Sequence, residues 1–188
     1  MPVQFPPIIL ASKSPRRQEL LTLMGLNFKV ELKDVDESYP GDLSPAEIAV
    51  YIAEKKAKAF AADDEIVITA DTIVALNGEI LGKPADRKHA QEMLTKLSGS
   101  KHEVFTGVTL AREGQIHSFY DRTIVYCRAV TAAEIDFYID HYKPFDKAGS
   151  YGVQDWWGIV VVERIEGSYT NVMGLPTEKL YNELLKFI

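Results

Sequence analysis

Apolar residues fall into two patterns along this chain: short unbroken runs, and stretches with the helical spacing of three and four. Residues 7–12, centred on Ile8-Ile9-Leu10, form an unbroken run of strand length. Ser14-Pro15 then marks a helix start, serine as cap and proline at the first helical position, and the helix is predicted to residue 24. A second strand is predicted over 27–32, followed by an acidic, turn-rich loop over 34–43. Ser44-Pro45-Ala46-Glu47 is a capping box, and Ile48, Ile52, Ala53, Ala57 and Phe60 carry its helix to about residue 62. Residues 66–70 are a continuous apolar run rich in β-branched side chains, hence a buried strand. After Asp71 and Thr72 a second run, 73–76, reaches Asn77-Gly78, a hairpin signal.

Further on, 86–97 has amphipathic helical spacing, and two strands, 103–112 and 116–129, are separated by Glu113-Gly114. A helix over 131–142 precedes a Pro/Gly-rich loop at 144–154. A strand over 159–165, a turn at Gly167, a Gly174-Leu175-Pro176 element and a last helix to Ile188 close the pattern. Strands alternating with helices indicate α/β architecture, and the adjacent long strands add an antiparallel portion. The predicted fold is therefore a mixed, partly antiparallel sheet flanked by helices.

Composition narrows the function. The chain has 188 residues, 46% hydrophobic, which predicts one domain over 1–188 with a sizeable core. A formal net charge of −6 argues against a nucleic-acid polymer as partner, yet leaves room for a small anion held by a few convergent cations. No apolar run is long enough for a membrane span, and Met1–Pro7 lacks a basic signal-like stretch. One cysteine, Cys127, suits a reducing compartment. The expectation is a cytoplasmic protein without a membrane partner.

Candidate chemistry begins at Ser12-Lys13-Ser14-Pro15-Arg16-Arg17. The amide dipoles make a helix N-terminus partially positive, so carboxylates are favoured there by roughly 0.3–1 kcal/mol and arginines are not. Free amides, serine hydroxyls and two guanidinium groups describe a receptor for phosphate. The alternative is a pair of arginines on a solvated helix face, with Glu19 as countercharge. Asp71 stands between apolar runs, at the end of a predicted buried strand, where a carboxylate needs a partner, a metal or a catalytic task. It equally fits a turn-capping aspartate, and Thr72 beside it lines the same pocket or serves as a β-former. Lys83, between Gly82 and Pro84, sits on a short stiff loop suited to meeting phosphate oxygens or solvent. Of Lys55, Lys56 and Lys58 only one can aim inward. Asp34, Asp36 and Glu37 read as a solvated acidic loop or as oxygen ligands for Mg²⁺. In Phe145–Gln154, paired glycines allow close approach of a ligand, and Gln154 carries the donor and acceptor needed to read a base edge. Trp156 and Trp157 read as core or interface residues, or as base-stacking ones.

Other chemistries fail on inventory. His89, His102, His117 and His141 lack metal-ligand spacing, Cys127 lies in a strand-like segment, and neither a Walker A loop nor a Gly-x-Ser-x-Gly elbow is present.

The blocks Leu10-Ala11-Ser12-Lys13-Ser14-Pro15-Arg16-Arg17, Ala53-Glu54-Lys55-Lys56-Ala57, Ala70-Asp71-Thr72, Gly82-Lys83-Pro84, Leu97-Ser98-Gly99, Asp146–Gln154 and Val172-Met173-Gly174-Leu175-Pro176 together resemble the Maf family of nucleotide pyrophosphatases. The match spans essentially the whole chain. The resemblance implies a Maf/inosine-triphosphatase-like fold with a central cleft between two lobes. It implies house-cleaning hydrolysis of a nucleoside triphosphate to monophosphate and pyrophosphate, dependent on a divalent cation, Mg²⁺ or Mn²⁺. Asp71 matches the proton acceptor. Ser14, Arg16, Arg17, Glu37, Lys56 and Lys83 match the positions that gather phosphate and metal, with Asp71 and Glu37 toward the metal. Arg16, Thr72 and Gln154 match the trio that separates subfamilies, and this combination resembles the dTTP/UTP-hydrolysing branch. Asp155-Trp156-Trp157 departs from the small, glycine-rich sequence often found there, which alters the edge of the base pocket. A homodimer is compatible with the family. Competing readings are a non-catalytic nucleotide sensor and a scaffold in cell division; the first does not need Asp71, and no heptad or low-complexity tail supports the second.

Overall fold

A computed structural model describes residues 3–60 and 64–188. In chain order the strands are β1 (Ile8–Leu10), β2 (Phe28–Val30), β3 (Ile66–Leu76), β4 (Glu79–Leu81), β5 (Lys101–Arg112), β6 (Gln115–Cys127) and β7 (Val162–Glu166). The helices are α1 (Pro15–Leu23), α2 (Pro45–Lys58), α3 (Arg87–Leu97), α4 (Ala132–Tyr142), α5 (Trp156–Val160), α6 (Tyr169–Met173) and α7 (Thr177–Phe187). Two short 3₁₀ turns, Pro144–Asp146 and Ala148–Ser150, bridge α4 and α5.

All seven strands form one mixed sheet in the order β2-β1-β3-β5-β6-β7, with β4 also on β3. β1 runs parallel to both β2 and β3, and the remaining pairs are antiparallel. This is the mixed α/β architecture expected from the alternation of runs and helical spacings. The turns follow local chemistry: Asn77-Gly78 and Glu113-Gly114 both take the positive φ that a two-residue hairpin requires. Ser44 and Glu47 close the predicted capping box, and Thr131 and Glu134 close a second one.

β3 organises the two faces of the sheet, because successive side chains point to opposite sides. Val67, Ile73 and Ala75 pack toward α2 with Ile48, Ala49, Ile52 and Ala57. On the other face Ile66, Ile68 and Ala70 pack with Leu20 and Leu21 of α1 and Leu180 and Leu184 of α7. Val74 and Leu76 join the core formed with α3, α4 and α5. α2 lies close on the sheet at Gly107, where an added Cβ would stand 2.4 Å from the Ala49 carbonyl.

Two predictions change. Residues 66–76 are one strand, so Asp71 and Thr72 lie inside β3 and not at its end. β1 pairs with β3 only to Ile68 and β4 pairs with it only from Val74, so residues 69–73 have no strand partner on that edge among the described residues. Trp156–Val160 is a helix, and the strand begins only at Val162. Gly158 permits the difference: a Cβ there would stand 1.7 Å from the Val153 carbonyl oxygen, so only glycine lets the chain fold back on itself where the β-branched run suggested extension. α2 ends at Lys58, and the predicted helix end at residue 62 lies outside the described residues, as do residues 1 and 2 of the N-terminal segment. α6 was not predicted. Among the described residues no helix is long and apolar enough to cross a membrane.

Candidate functional site

The unpaired stretch of β3 opens into a cleft of about 640 Å³. Its walls come from the loop before α1, the 32–39 loop, α2, the Gly82-Lys83 loop, the 146–154 segment and the end of α6. Every sequence-predicted site residue lines it: Ser14, Arg16, Arg17, Glu37, Lys56, Asp71, Thr72, Lys83 and Gln154.

On the α2 face, the Lys56 ammonium lies 2.8 Å from an Asp71 carboxylate oxygen and 2.9 Å from one of Glu37. Of the three neighbouring lysines only Lys56 turns inward. Lys55 binds Asp36 and Lys58 binds Glu54, both in the open. Burial alone would raise the Glu37 carboxyl, but the hydrogen bond and charge of Lys56, with Lys83 and Arg17 beyond, hold it below the usual glutamate range. Lys83 is exposed on the rim and makes no ion pair among the described residues. Its loop is tied down where the Gly149 amide donates to the Gly82 carbonyl at 3.1 Å.

At the start of α1, Ser14 occupies the cap position but its side chain caps nothing. Its own amide donates to Ser12 Oγ at 3.2 Å. The first amides of the helix therefore remain available to an anion in the cleft. Arg16 reaches across to Asp146 at 3.3 Å. Burial would raise Asp146, and Lys147 and Arg16 together hold it low. Arg17 points the other way and is engaged by the protein at each nitrogen. Nε donates to the Gly174 carbonyl at 2.8 Å, Nη1 to Ser12 Oγ at 3.2 Å and Nη2 to Thr72 Oγ1 at 3.1 Å. Burial lowers its guanidinium below the ordinary arginine value, with Asp71 opposing.

The 146–154 segment is built tightly. Tyr138 of α4 accepts the Gly152 amide at 3.0 Å and donates to Asp155 at 3.2 Å. A Cβ at Gly152 would stand 2.5 Å from Asp155 Oδ2 and 2.8 Å from Gln154 Nε2, so a larger residue there would displace both side chains. Gln154 Oε1 is buried without a hydrogen-bond partner. Tyr151, also on the cleft, is held by His102 Nε2 at 2.6 Å. Trp157 is fully buried, and Trp156 packs on Tyr138 and Phe137. Neither tryptophan lines the cleft.

Sequence reasoning missed Thr106, Asn171 and Tyr138, all of which fit their element's pattern as ordinary core positions. The one available signal for the first two was polarity inside otherwise apolar segments. No group of three or more His, Cys, Asp or Glu side chains is gathered for a metal among the described residues. The cleft offers instead two carboxylates, Asp71 and Glu37, converging on one cationic point.

A family model described as Maf-like protein matches residues 7–187. A dTTP/UTP pyrophosphatase of Bacteroides thetaiotaomicron is 51% identical over 183 residues, covering 95% of both chains. One of Bacteroides fragilis is 52% identical over 181 residues, covering 94% of both. Among solved structures, a HAM1 protein from Coxiella burnetii matches with a TM-score of 0.54 at 16% identity, covering 97% of this chain and 100% of that one. That is a likeness of fold.

Proposed function

The chain belongs to the Maf-like family, and on that premise we propose that it hydrolyses dTTP and UTP to the nucleoside monophosphate and pyrophosphate. The observation that carries the reading is the half-buried Asp71 in the open edge of β3, hydrogen-bonded to Lys56 and facing a cleft rimmed with cations.

The triphosphate is received by the free amides of α1, Arg16 and Lys83. Fixed donors of this kind stabilise charge that grows on the leaving pyrophosphate. Asp71 takes the proton of the attacking water, whose oxygen bonds to the α-phosphorus while the bond to the bridging α–β oxygen breaks. Lys56, 2.8 Å from that carboxylate, orients it. Two carboxylates without a third ligand do not make a protein cage, but they fit Mg²⁺ or Mn²⁺, which bind through one or two carboxylates with phosphate oxygens and water. Asp71 and Glu37 would hold such an ion, which supplies positive charge and polarises the phosphate. On this reading Gln154 and Thr72 face the base, and Arg16 lies at the junction of sugar and phosphates. The buried thiol of Cys127, pushed up to about 11 chiefly by desolvation, is chemically inert and suits a reducing cytoplasm.

The test is pyrophosphate release from dTTP, UTP, CTP and GTP with Mg²⁺ or Mn²⁺, with Asp71→Asn alongside. Release from dTTP and UTP, lost in the variant while nucleotide binding persists, supports the assignment. Tight binding without release across the panel sinks it and favours a sensor.

A further inference from the structure

Thr72 and Thr106 face each other as register partners across β3 and β5, and their hydroxyls are 3.0 Å apart. The surroundings decide which of the two donates. Thr106 Oγ1 lies 3.0 Å from the carbonyl oxygen of Asn171, which can only accept, so the single proton of Thr106 is committed there. Asn171 is itself immobilised: it is fully buried, and its amide donates to the Val104 carbonyl at 3.1 Å and to Thr123 Oγ1 at 2.9 Å. Thr72 must therefore donate its own proton to Thr106. Arg17, which has no acceptor, fills one lone pair of Thr72 at 3.1 Å. A hydroxyl has one proton and two lone pairs. The proton and one pair are used inside the protein, and what remains toward the cleft is one lone pair.

We propose that Arg17, Thr106 and Asn171 are positioning residues that turn Thr72 into an obligate hydrogen-bond acceptor, and that this selects nucleobases presenting an imide N–H. Thymine and uracil share that N3–H. Cytosine has a bare ring nitrogen at the same place and would set acceptor against acceptor. The proposal rests on the nucleotide reading above, and it assigns Arg17 to holding Thr72 while Arg16 and Lys83 meet the phosphates.

The test compares UTP, CTP and N3-methyl-UTP with wild type, Thr106→Val and Thr106→Ser, by kcat/KM for pyrophosphate release. Wild type should prefer UTP over both other nucleotides. In Thr106→Val the Thr72 proton loses its internal acceptor and turns to the cleft, so the UTP-to-CTP ratio falls about tenfold, the worth of one well-placed hydrogen bond. Thr106→Ser restores the ratio. A merely structural role would lower both substrates together and leave the ratio where it was, which overturns the proposal. Equal use of UTP and N3-methyl-UTP by wild type also overturns it, and that arm needs no variant to fold. If wild type releases pyrophosphate from none of them, the nucleotide-hydrolysis reading has failed. The same three nucleotides are then compared by equilibrium binding, where equal affinities overturn the polarity argument independently.

Discussion

The ammonium of Lys56 and the carboxylate of Asp71 meet at 2.8 Å in the one stretch of β3 that lacks a neighbouring strand on that edge among the described residues. The lysine comes from a helix on one face of the sheet, and its side chain is only 16% exposed. An ammonium in that position neutralises two carboxylates that would otherwise repel each other across the cleft.

Replacing Lys56 by Gln should therefore lower kcat by about 100-fold or more, the scale of a misplaced proton acceptor. Glu37 is held low largely by Lys56 against the opposing effect of burial, so its pKa should rise in the variant. The acid limb of the pH–rate profile then moves to higher pH. A profile that keeps its shape at near-normal kcat would contradict the role given to Lys56.

Excess chelator should reduce pyrophosphate release to background, and added Mg²⁺ or Mn²⁺ should restore it. In Glu37→Gln the metal concentration giving half-maximal rate should rise about tenfold, since one of two carboxylates is gone. An unchanged metal titration would remove Glu37 from the cation site.

Gly107 lies opposite Asp71 in the β3–β5 register. Gly107→Ala places a methyl group 2.4 Å from the Ala49 carbonyl, and backbone on both sides cannot yield without moving α2. Overpacking of this kind should cost about 3 kcal/mol of stability, read from the denaturant midpoint. Turnover should fall as well, because α2 carries Lys56.

His102 is buried and burial lowers its pKa to about 4. The unfolded chain titrates near 6.5, so between those values the unfolded state binds a proton that the folded state refuses. Stability is full above about pH 6.5 and declines as pH falls toward 4, by a total on the order of 3 kcal/mol. Thermal unfolding of wild type and His102→Gln between pH 7 and 5 checks the sign. The wild-type midpoint should drop more steeply than that of the variant.

Much of this fold was legible because local chemistry and global structure agree: the two capping boxes, the Asn77-Gly78 hairpin and the apolar runs of β1 and β3 are all where their residues place them. The candidate residues read from the sequence all line one cleft. What sequence could not supply was direction. Adjacent residues on a helix differ by about 100°, and that rotation sends Arg16 into the cleft and Arg17 to Gly174 and Thr72. Polar residues between apolar runs suggested a break at Asp71-Thr72, yet each finds a tertiary partner and the strand continues. The run around Ile159 looked extended until Gly158 and the Val153 carbonyl are seen in contact. Thr106 carried no signal because a threonine in a β-rich segment is unremarked until its proton is traced.

Asp71 and Thr72 are chain neighbours, yet the pleat sends one to the α2 side and the other toward α1 and α6. The carboxylate and the hydroxyl, proposed above for the reaction and for base choice, thus have separate supporting residues, Lys56 and Glu37 for one, Arg17, Thr106 and Asn171 for the other. On that proposal, substitutions around α6 alter which nucleotide is accepted and leave the Asp71–Lys56–Glu37 cluster in place. A scaffold arranged this way sets the two tasks on opposite faces of one strand, so that disturbing one leaves the supports of the other standing.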